Sequence, residues 1–254
     1  YGPAGWITDL KEWINDPEKT NPNYAWDDFL PGVKNSCAWN GQPGGALGSD
    51  DAKQWCIPWA FEQNNITYNK AMFDKAGVAV PKNLDDMISV AAKLQKDVGG
   101  IYGIGVRGSR SWATIHPGFL SAYSNFNEKD LNVTDGKLSA AMGTAGSKAF
   151  HAKCVQMIQE SGPKDWSTYT WYQVGTDLGA GASAMIFDAD CLGYFMNGGD
   201  NKMAGQLSYA AFVANPDATA STPNIWIWSL AMSNFSKDKD ATWYFLQWAS
   251  GPEH

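Results

Sequence analysis

Three histidines and four cysteines are all that 254 residues offer to a soft or borderline metal, and neither type falls at a zinc-ligand spacing. A metal centre is therefore not expected. No stretch approaches the roughly eighteen uncharged apolar residues that a bilayer span requires. The chain begins at Tyr1-Gly2-Pro3 instead of a basic and then apolar leader, so the expectation is a soluble chain from which any signal peptide is already absent. The 19 Lys and Arg are outnumbered by 26 Asp and Glu, giving a net charge of −7, and they gather into no basic stripe. Nucleic acid and anionic membrane surfaces are accordingly poor partners. Also missing are the Gly-x-Ser-x-Gly elbow, the phosphate-binding loop and the paired-histidine metal helix, and no cofactor is expected.

What the sequence has in excess is aromatic surface. Thirteen Trp and 10 Tyr exceed what a core of this size ordinarily uses, because indole is bulky and its N–H needs a partner when buried. Most of these rings belong in the core, and some are expected to face a ligand. At this length, with 44% hydrophobic residues, two lobes are a better expectation than one small domain.

The cysteines fall as two pairs. Cys37 and Cys56 flank a Gly- and Pro-rich loop (Asn40-Gly41-Gln42-Pro43-Gly44-Gly45) with no helix or strand pattern to hold it. A cross-link there would remove much loop freedom, and a Cys37–Cys56 disulfide in an oxidising compartment is expected. Cys154 and Cys191 read equally well as ordinary buried thiols.

From Tyr68 onward helix and strand alternate, which argues an α/β chain. Asn69 to Ala76 reads as a helix stopped by Gly77, and Val80-Pro81 resets the chain. Asn83 then caps a helix with Asp86 three residues on, and Leu84, Met87, Ile88, Ala91 and Leu94 form its apolar face. Ile101 to Val106 reads as a short buried strand, followed by the loop Arg107-Gly108-Ser109-Arg110 and a helix beginning near Ser111 or Trp112. Open α/β sheets place their ligands at such strand-to-helix turns. A packing helix runs from about Gly146 to Glu160. Ala182 to Asp188 is a strand ending in a carboxylate, with Asp190 two positions beyond. A further strand covers Gln206 to Val213, residues 215–223 read as a linker, Asn224 to Met232 alternates as a strand, and a helix spans Ser236 to about Ala249.

At Glu62 to Val78 the string Glu-Gln-Asn-Asn-Ile-Thr-Tyr-Asn-Lys-Ala-Met-Phe-Asp-Lys-Ala-Gly-Val, followed by Pro81, resembles the hinge region of family 1 extracellular solute-binding proteins, the maltose-binding-protein-like receptors of ABC importers. Further segments follow in that family's order: Gly103-Ile104-Gly105-Val106 before Trp112, Gly179 to Met185 leading into Asp188, Trp228-Ser229-Leu230-Ala231-Met232, and the Ala241 to Trp248 helix. The likeness covers nearly the whole chain, although the Cys37 to Cys56 insertion has no counterpart in the maltose receptor. Members begin with a strand-helix-strand segment and finish with a helical tail, so this chain is expected to be truncated at both ends.

The resemblance implies an α/β, two-lobe periplasmic-binding-protein (Venus-flytrap) fold with hinge strands. Lobe I would take residues 1–66, lobe II 67–213, and 214–254 would return to lobe I. It further implies an exported, monomeric receptor that captures a carbohydrate or polyol between the lobes and delivers it to the membrane permease of an ABC importer. Sugar rings offer a C–H face and a hydroxyl rim, so aromatic platforms, carboxylates and amides are the side chains to seek. By the resemblance, Glu62 matches a ligand-contact position of the family, Trp112 the aromatic at the mouth of the second lobe, and Asp188 the polar position ending the Ala-Met strand, and all three are ligand-binding candidates. Asn64 shares the strand face of Glu62, Arg107 lies in the strand-to-helix loop, and Trp226 and Trp228 share one strand face. Weaker candidates are Asp190, Trp171, Tyr172 and His116.

Two other readings compete. A carbohydrate-active enzyme would use a carboxylate pair, yet Asp188 and Asp190, alternate residues of one strand end, stand too close to flank a glycosidic bond. A ligand-sensing domain for a receptor would carry the same residues. The triplets Asn65-Ile66-Thr67, Asn132-Val133-Thr134 and Asn234-Phe235-Ser236 match the glycosylation pattern and are given no role.

Overall fold

The computed structural model describes residues 1–111, 123, 126, 128–211 and 224–252. The chain divides into two compact units, one made of Tyr1–Phe61 with Trp226–His254 and the other of Glu62–Ile225. The first unit opens with α1 (Lys11–Ile14), α2 (Pro31–Ser36) and the two-residue strands β1 (Ala38–Trp39) and β2 (Lys53–Gln54). The long strand β3 (Ile57–Asn69) begins in this unit and ends in the second.

The second unit continues with α3 (Lys70–Ala76) and α4 (Leu84–Val98). Both start on asparagine caps: the Asn69 side chain accepts the N–H of Met72, and that of Asn83 accepts the N–H of Asp86 at 2.9 Å. Gly77 closes α3 at φ 61°, a left-handed conformation that costs glycine nothing. All five expected face residues of α4, Leu84, Met87, Ile88, Ala91 and Leu94, are buried. A hairpin of β4 (Leu131–Thr134) and β5 (Lys137–Ala140) turns through Asp135-Gly136, both at positive φ. Helix α5 (Ala145–Ser161) follows, then α6 (Trp171–Ala180), β6 (Met185–Ala189), α7 (Asp190–Met196) and β7 (Leu207–Ala210).

Strands β6 and β7 flank β3 antiparallel, with Ile66 opposite Phe187 on one side and Ala210 on the other. Side chains of adjacent strand positions point to opposite faces, and the sheet is buried on both. Ile66 and Met185 pack with Phe73, Met87, Leu94, Ile104 and Phe150, whereas Ile186 packs with Val174, Leu178, Leu192 and Leu207. The sheet thus lies between two helical layers.

Ile101 to Val106 is not the continuous strand expected. Tyr102 and Gly105 make isolated parallel bridges to Ser183 and Ile186, but between them the N–H of Ile104 turns away to the carbonyl of Ser161 at the end of α5. Gly103 permits this detour, because a Cβ there would lie 2.0 Å from the Ala91 carbonyl oxygen.

The chain re-enters the first unit through β8 (Ile225–Leu230), which pairs with β3, and closes it with α8 (Lys239–Ser250). Asp238 caps α8 by accepting the N–H of Ala241. The unit's core joins Leu10, Trp13, Tyr24, Ile57, Met232, Trp243 and Leu246. Among the described residues no helix is long and apolar enough to cross a membrane.

The expected Cys37–Cys56 cross-link is corrected by the structure, in which all four cysteines are free. Cys37 and Cys56 are instead hydrogen-bonded neighbours, an arrangement that lowers Cys56 to about 7 and, with burial, pushes Cys37 up. The loop between them does have local structure to hold it. Ala38 pairs with Gln54 and Trp39 with Lys53, the Trp55 indole donates to the Trp39 carbonyl, and Asn40 donates to Asp51.

Candidate functional site

The residues that carry the site's chemistry in the second unit meet where the edge of β6 faces the loop after Val106. Gly108 lets this loop lie close against its support, since a Cβ there would stand 2.1 Å from the Trp166 ring. The backbone N–H groups of Gly108 and Ser109 both donate to the Tyr169 carbonyl at 3.0 Å. The loop is thereby tied to the segment that leads into α6.

Thr170 caps α6 reciprocally: its hydroxyl accepts the N–H of Tyr172, and the Gln173 side chain accepts the N–H of Thr170 at 2.8 Å. Trp171 therefore stands at the first helical position. Its ring lies 5.8 Å from the Arg107 guanidinium carbon, within cation–π range, and meets the Tyr172 ring at a tilt of 33° with centroids 4.7 Å apart.

On its other side Arg107 meets Asp188. Nε donates to Oδ2 at 2.9 Å and Nη2 donates to Oδ1 at 2.5 Å, a bidentate fork, while Oδ1 also accepts the N–H of Ala189 at 2.6 Å. The fork is almost fully desolvated, with side chains 8% and 3% exposed. Burial pushes the Asp188 carboxyl up from its ordinary value, against the charge and hydrogen bonds of Arg107 and the Ala189 N–H, and the nearby charge of Glu62 adds to the upward push.

Glu62 sits next to Cys191. Burial, the Glu62 charge and the hydrogen bond to Glu62 hold the Cys191 thiol up at about 12, with Asp190 and Asp188 contributing in the same sense. Asp190 accepts the N–H of Gln63 at 3.3 Å, and buried Asn64 donates its backbone N–H to the Asn224 carbonyl at 3.3 Å. Among the described residues no group of three or more His, Cys, Asp or Glu is arranged to hold a metal ion.

Of the sequence candidates, the structure brings Arg107, Asp188, Trp171, Tyr172, Glu62 and Asp190 into one neighbourhood. Asp188 is 2% exposed, and both of its oxygens accept from Arg107. Trp226 and Trp228 belong to the first unit and form an edge-to-face pair with centroids 6.5 Å apart, Trp228 being 47% exposed. Trp112 and His116 lie outside the described residues. Sequence reasoning missed the stacking of Trp171 on Arg107, for which Thr170-x-x-Gln173 was a readable cap signal.

The second unit is a three-layer α/β unit, and its candidate site sets a buried ion pair, Arg107 with Asp188, beside the ring of Trp171. The profile of the bacterial extracellular solute-binding protein family matches residues 1–254, and the chain belongs to that family. The erythritol/L-threitol-binding protein of Mycolicibacterium smegmatis is 40% identical over 255 residues, covering 100% of this chain and 53% of that relative. Two solved structures share the fold. The ABC transporter solute-binding protein of Agrobacterium vitis S4, with bound D-mannitol, aligns at TM-score 0.79 and 24% identity, covering 99% of this chain and 56% of its own. That of Agrobacterium radiobacter K84, in complex with ribitol, aligns at 0.77 and 20%, covering 100% and 60%. The chain spans about half the length of the relatives it matches, 53% in the first case.

Proposed function

We propose that the protein to which this chain belongs is an extracytoplasmic receptor that captures a small acyclic polyol and presents it, unaltered, to an ABC importer. The observation that carries this reading is the 40% identity, over the whole chain, to a protein named for binding two four-carbon polyols. The chemistry of the site supports it. A polyol offers a row of hydroxyls that both donate and accept, and a guanidinium, carboxylates and aromatic rings are suited to such a molecule.

Arg107, Glu62, Asn64 and Trp171 are the proposed ligand-contact residues of the second unit, with Asp188 acting through Arg107. Trp226 and Trp228 are the aromatic candidates of the first unit. The two units are read as the lobes of the family's fold. A hydrolytic role is disfavoured because Asp188, the carboxylate at the strand end, is buried and engaged at both oxygens, whereas a glycosidase acid must reach the scissile bond.

Titration calorimetry of the full-length protein with erythritol, L-threitol, ribitol, D-mannitol and maltose tests the reading. One of the polyols is expected to bind in the micromolar range, about −8 kcal/mol, and to be recovered unchanged. Saturation by maltose with no response to any polyol would overturn the polyol assignment. Conversion of any added compound by the pure protein would overturn the non-enzymatic one.

A further inference from the structure

An unopposed guanidinium beside a polyol site would invite the wrong ligand. Sugar acids differ from polyols of the same chain length only in a terminal carboxylate, and a guanidinium fork is the side chain best matched to a carboxylate. In this protein the Nε and Nη2 edge of Arg107 is already taken by the protein's own carboxylate, Asp188, at 2.9 and 2.5 Å. Trp171 covers another side of the same guanidinium.

A second carboxylate stands close by. The charge of Glu62 acts on Asp188 and on Cys191, and that of Asp190 acts on Cys191. Beside the fork there are thus two carboxylates, Asp188 and Glu62, against one guanidinium. An arriving carboxylate would find its matching edge occupied and would meet an excess of negative charge in a desolvated setting, where like charges repel strongly.

We propose that Asp188 is a specificity-determining residue, an internal carboxylate that occupies the Arg107 fork and so makes the site accept neutral polyols while rejecting the sugar acids of the same chain length. This rests on the polyol reading above. Asp188 orients the guanidinium for hydroxyls and cancels its charge. Glu62 adds the repulsion.

The test is calorimetry on the full-length protein and on Asp188→Asn and Glu62→Gln, with three matched pairs: erythritol and erythronate, ribitol and ribonate, mannitol and mannonate. The wild type should bind a polyol and bind its acid at least about a hundredfold more weakly, as one strong like-charge contact implies. Asp188→Asn removes the carboxylate that occupies the Nε and Nη2 edge of Arg107, and should lose polyol affinity while gaining acid affinity, closing the gap by about tenfold or more. Glu62→Gln alters a partly exposed residue outside the fork and should narrow the gap in the same direction, which keeps the test decisive if Asp188→Asn fails to fold. A wild type that takes polyol and acid equally well would overturn the selectivity while leaving the polyol reading standing. An unchanged ratio in a folded Asp188→Asn, or in Glu62→Gln where Asp188→Asn does not fold, would do the same. A wild type that binds no polyol would overturn the functional reading and the selectivity with it.

Discussion

Arg107 and Asp188 illustrate how a buried ion pair contributes more to geometry than to stability. Taking both charges out of water costs several kcal/mol each, and the fork, the Ala189 N–H and the Trp171 ring repay that cost only while all partners are present. Removing one partner leaves an uncompensated buried charge. Arg107→Met or Asp188→Leu alone should therefore destabilise the protein by about 3–5 kcal/mol, whereas the double variant should recover most of that loss. Urea denaturation of the three variants gives the coupling. Single variants that each cost less than about 1 kcal/mol would mean that the pair is solvated or replaceable in solution. The double variant carries a second readout, because it should fold and yet fail to bind polyol, as a positioning pair would and a merely structural pair would not.

At the scale of the element, helix α6 places the ring beside that pair, and its start is set by the reciprocal contacts of Thr170 and Gln173. Thr170→Ala should cost about 1 kcal/mol, and Thr170→Ser only a few tenths, because serine restores the hydroxyl acceptor. Thermal melting of both variants checks this, and equal losses would show that the threonine methyl matters more than the cap. Elements whose logic is local were legible in the sequence. Asn83 with Asp86, the five-residue face of α4, the Gly77 stop and the polar end of β6 each follow from chemistry within a turn or two of chain. The misses share the opposite property. Strands β1 and β2 hold two residues each, too few for alternation to register, so the loop between Cys37 and Cys56 looked in need of a cross-link. Ile101 to Val106 has the composition of a strand, and only the distant carbonyl of Ser161 draws Ile104 out of the ladder. The partnership of Arg107 with Asp188 spans 81 positions. An aspartate at a strand end announces a polar position, but nothing local says whether its partner is a ligand or an arginine.

For the whole molecule, the cores decide what a single substitution can reach. The apolar cluster of the first unit, from Leu10 and Trp13 to Trp243 and Leu246, shares no residue with the two clusters that sandwich the sheet of the second. Substitutions in one core should then add independently to those in the other. Trp243 is 1% exposed and its indole donates to Thr20, so Trp243→Ala should cost about 3–5 kcal/mol through the cavity and the lost bond. Its neighbour Tyr244 is 75% exposed, and Tyr244→Ala should stay within about 0.5 kcal/mol. Amide hydrogen exchange locates the effect. In Trp243→Ala, exchange should quicken through α8 and around Leu10 to Ile14, which share that core, while α4, packed around Leu94 in the other unit, keeps its wild-type protection. Leu94→Ala should produce the mirror pattern. Equal acceleration across both units in either variant would mean that they unfold as one cooperative body, and the separation of the cores would then describe packing without describing stability.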